Sequence, residues 1–162
     1  MTASAVFERM RERGLTLAVA ESLTGGLLTD AFVQVPGSSA VLLGGVVAYA
    51  TPLKRTLLGV DGGLLEQHGA VHPEVARQMA AGVRHALGVD GPADAGLATT
   101  GVAGPGPQDG VDPGTVHVAA AVRDAVVVRS AVLHGGRAAV REQAVDLAVA
   151  VLLEALGAPP QE

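Results

Sequence analysis

Apolar positions along the chain alternate between the spacing of helices and the spacing of strands. They predict an amphipathic helix over residues 3–13 and a mostly apolar strand over residues 15–21. Helical spacing then returns over residues 23–35, until a proline–glycine pair breaks the pattern. Ser22 therefore lies at a predicted junction between a strand and a helix.

The remaining pattern predicts a layered fold. It contains, in order, a strand at 41–50, a helix from Pro52 to Leu58, a helix at about 74–87, a strand at 94–100, hairpin strands at 114–122 and 125–133, and a last helix from Arg137 to Leu156. The Gly44–Gly45 pair in the second strand indicates a bulge or a close approach of its backbone to another part of the molecule. Together these elements predict an α/β fold: one domain with a mixed β-sheet of about five strands flanked by helices. We expect its core at about 5–156 and a frayed tail at 157–162.

Composition narrows the class of protein. The 162 residues suffice for one domain with its own core, and the lack of cysteine excludes disulfides, a thiolate nucleophile and a cysteine-ligated zinc. A net charge of −5 and 2% aromatic residues disfavour nucleic-acid binding. The N-terminus carries charges where a signal peptide needs its apolar stretch, and no apolar run approaches the length of a membrane span. We therefore expect a cytoplasmic protein that binds neither nucleic acid nor membrane. Small apolar faces on its outer helices favour a homodimer.

The stretch AESLTGG at residues 20–26 has two interpretations. A serine before an apolar helix is typically its N-cap, accepting a backbone N–H. The same place suits a nucleophile, because Gly25 and Gly26 would leave backbone N–H groups at the helix start open to an anion or a developing oxyanion. Since a serine hydroxyl reacts only when a base takes its proton, the choice depends on the base available.

Histidine is the usual base, but none of the five histidines lies in a recognised catalytic motif. His85 is predicted on a helix surface, and His134, at the end of a strand, is the reserve candidate. His68 and His72 are four residues apart, but Gly69 and Pro73 place them outside a helix. A zinc hydrolase built on that pair is thus the weakest interpretation, and we expect no metal.

Lysine is the other candidate base, and Lys54 is the only lysine in the chain. Burial in an apolar site lowers the pKa of a lysine, whereas an arginine stays protonated. Lys54 follows a predicted strand and has leucines and a proline around it in sequence. The alternative is a solvated lysine on a short helix, with Tyr49 an ordinary strand-end aromatic.

A glycine- and proline-rich loop at residues 99–114 is the third candidate. It matches neither the dinucleotide-binding fingerprint nor the P-loop. A glycine-rich loop at the carboxyl end of a strand can nevertheless bind ligands, with Thr99 and Thr100 as hydroxyl donors, or be a plain connection. Arg137 and Arg141 lie one helical turn apart and could bind a carboxylate or phosphate, or stay solvated.

Taken together, six motifs are similar in order and spacing to the CinA C-terminal domain family. They are AESLTGG, GSSAVLLGGVVAYATPLK, HGAVHPEVARQMA, LATTGVAGPGP, DPGTVHVA and HGGRAAVR, which extend over roughly residues 5–156. The resemblance implies a nicotinamide mononucleotide amidohydrolase that releases ammonia and nicotinate mononucleotide without metal or redox cofactor. It also implies the stand-alone form of the deamidase, without the N-terminal domain of larger CinA proteins.

The resemblance also implies roles for individual residues. Ser22 and Lys54 correspond to the family's serine–lysine pair, and Tyr49 to a tyrosine that would relay a proton or orient the lysine. The expected substrate-binding residues are Thr24, Gly25, Gly26, Thr100, Gly101, Gly104 and Arg137. The chain departs from the family's usual residues at Ala50, His72 and Gly136. These departures leave open a rival interpretation, a non-catalytic pyridine-nucleotide-binding or regulatory module.

Overall fold

The computed structural model describes residues 2–157, which form five strands and six α-helices. The strands are β1 (Leu17–Glu21), β2 (Leu42–Val47), β3 (Ala95–Gly101), β4 (Thr115–Val122) and β5 (Ala125–Val132). The helices are α1 (Ala3–Glu12), α2 (Leu27–Val33), α3 (Thr51–Leu58), α4 (Gly62–His68), α5 (Pro73–Ala86) and α6 (Arg137–Gly157), with a 3₁₀ turn at Ser38–Ala40. No helix in this part of the chain is long and apolar enough to cross a membrane.

The strands form one mixed sheet in the order β2-β1-β3-β4-β5, which confirms the predicted α/β class. Strand β1 runs parallel to its two neighbours β2 and β3, while β4 is antiparallel to both β3 and β5. The apolar core on one face of the sheet includes residues of α1, α2 and α6, and the core on the other face includes residues of α3 and α5. Because β1, β2 and β3 are parallel, their carboxyl ends meet at one edge, where the candidate residues following them converge.

The main corrections to the predicted elements concern α2 and α4. Helix α2 begins at Leu27, four residues later than the pattern suggests, because Gly25 and Gly26 have positive φ angles and residues 22–26 form turns. Helix α4 was not predicted, and it places His68 inside a helix, at its last residue. Gly157 belongs to α6 and is not part of a frayed tail, and residues 158–162 lie outside the described residues.

Both features that the glycine pair predicts, a bulge and a close approach of the backbone, are present in β2. The pairing of β1 with β2 shifts by one residue at Leu43, which forms a bulge before Gly44. A Cβ atom at Gly45 would lie only 2.9 Å from the Cβ atom of Thr29 in α2, and nearer still to the side-chain atoms beyond it. Glycine therefore lets α2 pack closely on the edge strand.

The helix that carries Lys54 depends on another close approach. A Cβ atom at Gly82 of α5 would lie 2.8 Å from the carbonyl carbon of Leu58, the last residue of α3, and still nearer to its oxygen. Only a residue without a side chain permits this distance between the two helices.

We predict that Gly82→Ala lowers the free energy of unfolding by about 1–3 kcal/mol, the usual range for overpacking. Alanine is the better helix former, so a loss of stability has to come from the contact with Leu58. Urea denaturation measures the effect, and Gly157→Ala is the control because a Cβ atom there meets nothing within 4 Å. Equal stability of the two variants would show that α5 and α3 have room to separate.

Candidate active site

Ser22 and Lys54 come together at the carboxyl edge of the sheet. Ser22 directly follows β1, and Lys54 lies in α3, which follows the neighbouring strand β2. The Lys54 Nζ atom lies 3.1 Å from the Ser22 Oγ atom, a hydrogen bond between two buried side chains. The pair that the resemblance implies is therefore in contact in the structure.

The lysine is held by acceptors that suit an uncharged amine as well as an ammonium. Its Nζ atom donates to the carbonyl oxygens of Ala48, at 2.8 Å, and Tyr49, at 3.3 Å. With these two bonds kept, a neutral amine has one lone pair left, which can accept the hydroxyl proton of Ser22. The arrangement can thus remove a proton from the serine.

Burial also adjusts the acidity of this lysine. Lys54 is only 1% exposed, and desolvation lowers its pKa from 10.5 to about 8. Its polar contacts are two carbonyl oxygens and a hydroxyl, groups that carry no full negative charge. A base with a pKa of this size has a neutral fraction near neutral pH, as proton abstraction requires.

A cleft of about 290 Å³ is lined by Leu23, which directly follows Ser22, and by Tyr49, while Ser22 and Lys54 are not among its lining residues. Residues 101–104 and 106–108 of the glycine-rich loop also line it. Arg137 is a further lining residue and donates to the Gly104 carbonyl at 2.7 Å and to the Tyr49 hydroxyl at 3.2 Å. The structure thus brings Gly101, Gly104 and Arg137 together around one cleft, as expected for a binding site.

Tyr49 contacts Lys54 through its backbone, while its side chain contacts Arg137. Its carbonyl contacts Lys54, but its hydroxyl accepts a hydrogen bond from Arg137, and the residue is 59% exposed. The hydroxyl is therefore bonded to Arg137, and both residues line the cleft. The side chain is therefore placed to contact a ligand, whereas the backbone orients the lysine.

Of the two interpretations of Ser22, the helix N-cap is wrong. The expectation that the N–H groups at the start of the helix are open to an anion is wrong as well. The N-cap of α2 is Gly26, and the carboxylate of Glu21 accepts the N–H groups of Leu28, at 2.9 Å, and Thr29, at 3.0 Å. Glu21 is fully buried, so its negative charge already satisfies the helix N-terminus. The carboxylate of Glu21 therefore accepts the N–H groups that a capping side chain would accept, and the Ser22 hydroxyl is left to contact Lys54.

The threonines and glycines after Ser22 mostly face away from the cleft. Thr24 shares a buried hydrogen bond with Thr99, and the Thr100 hydroxyl donates to the Ala70 carbonyl. The Gly25 N–H donates to the Ser22 carbonyl, which removes it from the expected oxyanion donors. The sequence motif places these residues next to Ser22 but does not show which of their groups are used inside the protein.

The histidines do not form a metal centre in residues 2–157, where no group of three potential ligands comes together. His68 and His72 are in ring contact at 4.6 Å, and the Nδ1 atom of His72 accepts the Glu74 N–H at the start of α5. His117 bonds to Ser130, and burial is the main reason that its pKa is lowered. His134 lies exposed beyond β5, while the partner of the Ser22 hydroxyl is Lys54.

Comparison with known proteins identifies one family. The sequence model of the CinA C-terminal domain matches residues 1–156. A CinA-like protein of Frankia casuarinae is 50% identical over 149 residues, which are 92% of this chain and 34% of that protein. The chain spans about a third of the length of the curated relatives it matches.

Solved structures agree with this comparison. The competence-damaged protein (CinA) superfamily protein from Escherichia coli superimposes with a TM-score of 0.88 at 31% identity, over 94% of this chain and 87% of that chain. The competence/damage inducible protein CihA from Agrobacterium tumefaciens gives a TM-score of 0.85 at 33% identity, over 94% of both chains.

The buried lysine predicts a particular dependence of stability on pH. The folded pKa of about 8 is below the ordinary 10.5, so between these values the unfolded chain binds more protons and stability rises with pH. We predict that, relative to Lys54→Met, the wild type gains about 3 kcal/mol of unfolding free energy as the pH rises from 8 to 10.5. Denaturant titrations at several pH values measure the difference, and Arg55→Met, on the exposed side of α3, is the control. A difference that does not vary with pH would contradict the lowered pKa.

Proposed function

The chain belongs to the CinA C-terminal domain family, and we propose that it hydrolyses the carboxamide of nicotinamide mononucleotide to nicotinate mononucleotide and ammonia. The observation that carries the proposal is the buried hydrogen bond between Ser22 and Lys54. The substrate comes from the resemblance, and the cleft, which is lined by glycines of the loop and by Arg137, is compatible with a nucleotide ligand.

The first half of the proposed reaction forms an acyl-enzyme. Neutral Lys54 accepts the proton of the Ser22 hydroxyl as the Ser22 Oγ atom attacks the amide carbon. The tetrahedral oxyanion collapses, the C–N bond breaks, and the Lys54 ammonium returns its proton to the leaving nitrogen, which departs as ammonia. An ester between Ser22 and the nicotinoyl group remains.

The second half releases the acid. Water attacks the ester carbon while Lys54 accepts a proton from it, and the Ser22 Oγ atom leaves with that proton as the acid is freed. The two carbonyl oxygens that hold Lys54 stabilise its transient positive charge in both halves. The dyad therefore returns to its starting state without a metal or a redox cofactor entering any step.

Arg137 provides the recognition of charge in this proposal. Its guanidinium lines the cleft and has donors left beyond its two hydrogen bonds to Gly104 and Tyr49. A planar fork of donors suits a phosphate monoester. The glycines of the loop allow a ribose phosphate to approach the backbone closely.

The three departures from the family's usual residues lie outside the dyad. Ala50 is the N-cap of α3, His72 caps α5 with its ring, and the Gly136 carbonyl accepts a hydrogen bond in the first turn of α6. These contacts concern the starts of helices. They give the rival interpretation, a binding module without turnover, no specific support at Ser22 or Lys54.

We predict that Ser22→Ala and Lys54→Met each lower the rate of ammonia release from nicotinamide mononucleotide by about 10³-fold or more. The reason is that each variant lacks one half of the nucleophile–base pair. Coupled detection of ammonia, with mass spectrometry of the product acid, measures the rates, and Arg55→Met serves as the folded, active control. Activity that survives both substitutions would refute the dyad, and tight binding without turnover by the wild type would favour the rival module.

The pH profile offers a separate prediction. Because only neutral Lys54 can accept the proton, kcat/KM should rise about tenfold per pH unit below pH 8 and level off above it. Initial rates between pH 6.5 and 9.5 test this at a substrate concentration well below KM. A profile that stays flat between pH 6.5 and 9.5 would contradict Lys54 as the base.

A further inference from the structure

The turn after the nucleophile is held from outside by a guanidinium on α6. Arg141 donates through its Nε atom to the carbonyl of Leu23, at 2.8 Å, and through an Nη atom to the carbonyl of Thr24, at 3.0 Å. The contact joins residues 118 and 117 positions apart in the sequence. These are the two residues that directly follow Ser22.

The guanidinium sits tightly against the turn. A Cβ atom at Gly25 would lie 3.2 Å from the same Nη atom, and the φ angle of Gly25 is +58°. Glycine therefore serves two needs here, a left-handed backbone and space for the arginine. The two observations are independent, and both indicate that this turn is built around Arg141.

The orientation of the two carbonyls fixes the N–H groups on the other side of their peptide planes. In a trans peptide the C=O and N–H bonds point in opposite directions, so holding the Leu23 oxygen towards Arg141 directs the Thr24 N–H away from it. The next N–H, that of Gly25, donates to the Ser22 carbonyl. Within residues 2–157, no protein oxygen accepts a hydrogen bond from the Thr24 N–H, although Thr24 is fully buried. A buried N–H without an acceptor is a rare feature that a ligand atom can satisfy.

We propose that Arg141 is a positioning residue for the hydrolysis: it holds the Leu23 and Thr24 peptides so that the Thr24 N–H donates to the oxyanion formed by Ser22. The inference rests on the proposed function, since it assigns a part to the same reaction. Arg141 itself touches neither the substrate nor the dyad. Its positive charge on the carbonyl side also polarises each peptide, which strengthens the N–H as a donor.

The test compares Arg141→Met, Arg141→Lys and Arg77→Met. Methionine keeps most of the apolar stem without the donors, lysine keeps one charged donor, and Arg77 lies exposed on α5 away from the site. We expect Arg141→Met to lower kcat by roughly 10- to 100-fold, less than the loss of a whole oxyanion donor, with KM nearly unchanged. Arg141→Lys should retain an intermediate kcat, free guanidinium should restore part of the kcat of Arg141→Met, and Arg77→Met should match the wild type.

A second readout separates this inference from the proposed substrate. A fluorophosphonate probe phosphonylates an activated serine with loss of fluoride. The same oxyanion donors stabilise the negative charge that develops on its phosphoryl oxygen. Arg141→Met should slow labelling of Ser22 by a factor similar to that for kcat, even if nicotinamide mononucleotide is not the substrate. Labelling unaffected by Arg141→Met, or a change confined to KM, would overturn the inference alone. If Ser22 of the wild type is not labelled either, the result contradicts both the proposed dyad and this inference.

Stability is measured on the same variants, so that unfolding is not mistaken for loss of positioning. If Arg141→Met does not fold, Arg141→Lys decides: a folded lysine variant with wild-type kcat and labelling rate contradicts the inference. A folded lysine variant with lowered kcat, unchanged KM and slowed labelling supports it.

Discussion

The site depends on keeping a lysine out of water beside a serine. Lys54 is almost completely buried, and this burial lowers its pKa towards the range in which an amine can act as a base. The cost in stability at neutral pH is tolerated because the sheet edge supplies two carbonyl acceptors, from Ala48 and Tyr49. The position of α3, and hence of Lys54, follows in turn from the close approach of Gly82 to Leu58. Reactivity is thus maintained by packing at some distance from the reacting atoms.

Two charged side chains form the hydrogen bonds that hold the segment after β1 in its conformation. Glu21 neutralises the start of α2 from within the core, and Arg141 binds the carbonyls of the preceding turn from α6. Had Ser22 capped the helix, its oxygen would accept a backbone N–H and be a poorer nucleophile. Because Glu21 caps the helix instead, the Ser22 hydroxyl can contact Lys54.

The sequence predicts the alternation of strands and helices well because each element carries its own periodicity. The sequence also singles out Lys54 as a candidate base, because it is the only lysine in a chain whose other basic side chains are mostly arginines. It does not predict where α2 begins, because two glycines are as compatible with a helix start as with a left-handed turn. The local sequence does not predict the roles of Glu21 and Arg141. The Glu21 carboxylate accepts a hydrogen bond from a residue seven positions later, and the Arg141 guanidinium donates to a residue 118 positions earlier, so both contacts depend on tertiary packing.

Chemistry and recognition occupy structurally different parts of the molecule. Ser22, directly after the buried strand β1, and Lys54, within α3, are buried side chains, whereas residues 105–110 of the loop beside the cleft are exposed to solvent. Tyr49 and Arg137 join the two regions, because Arg137 bonds both to the loop at Gly104 and to the tyrosine that follows β2. Under the proposed function, changes in the exposed loop alter ligand contacts without moving the dyad, whereas changes at Arg137 affect its contacts with both the loop and Tyr49. On that proposal, substrate choice varies through the loop while the spacing of Ser22, Lys54 and Arg141 stays fixed.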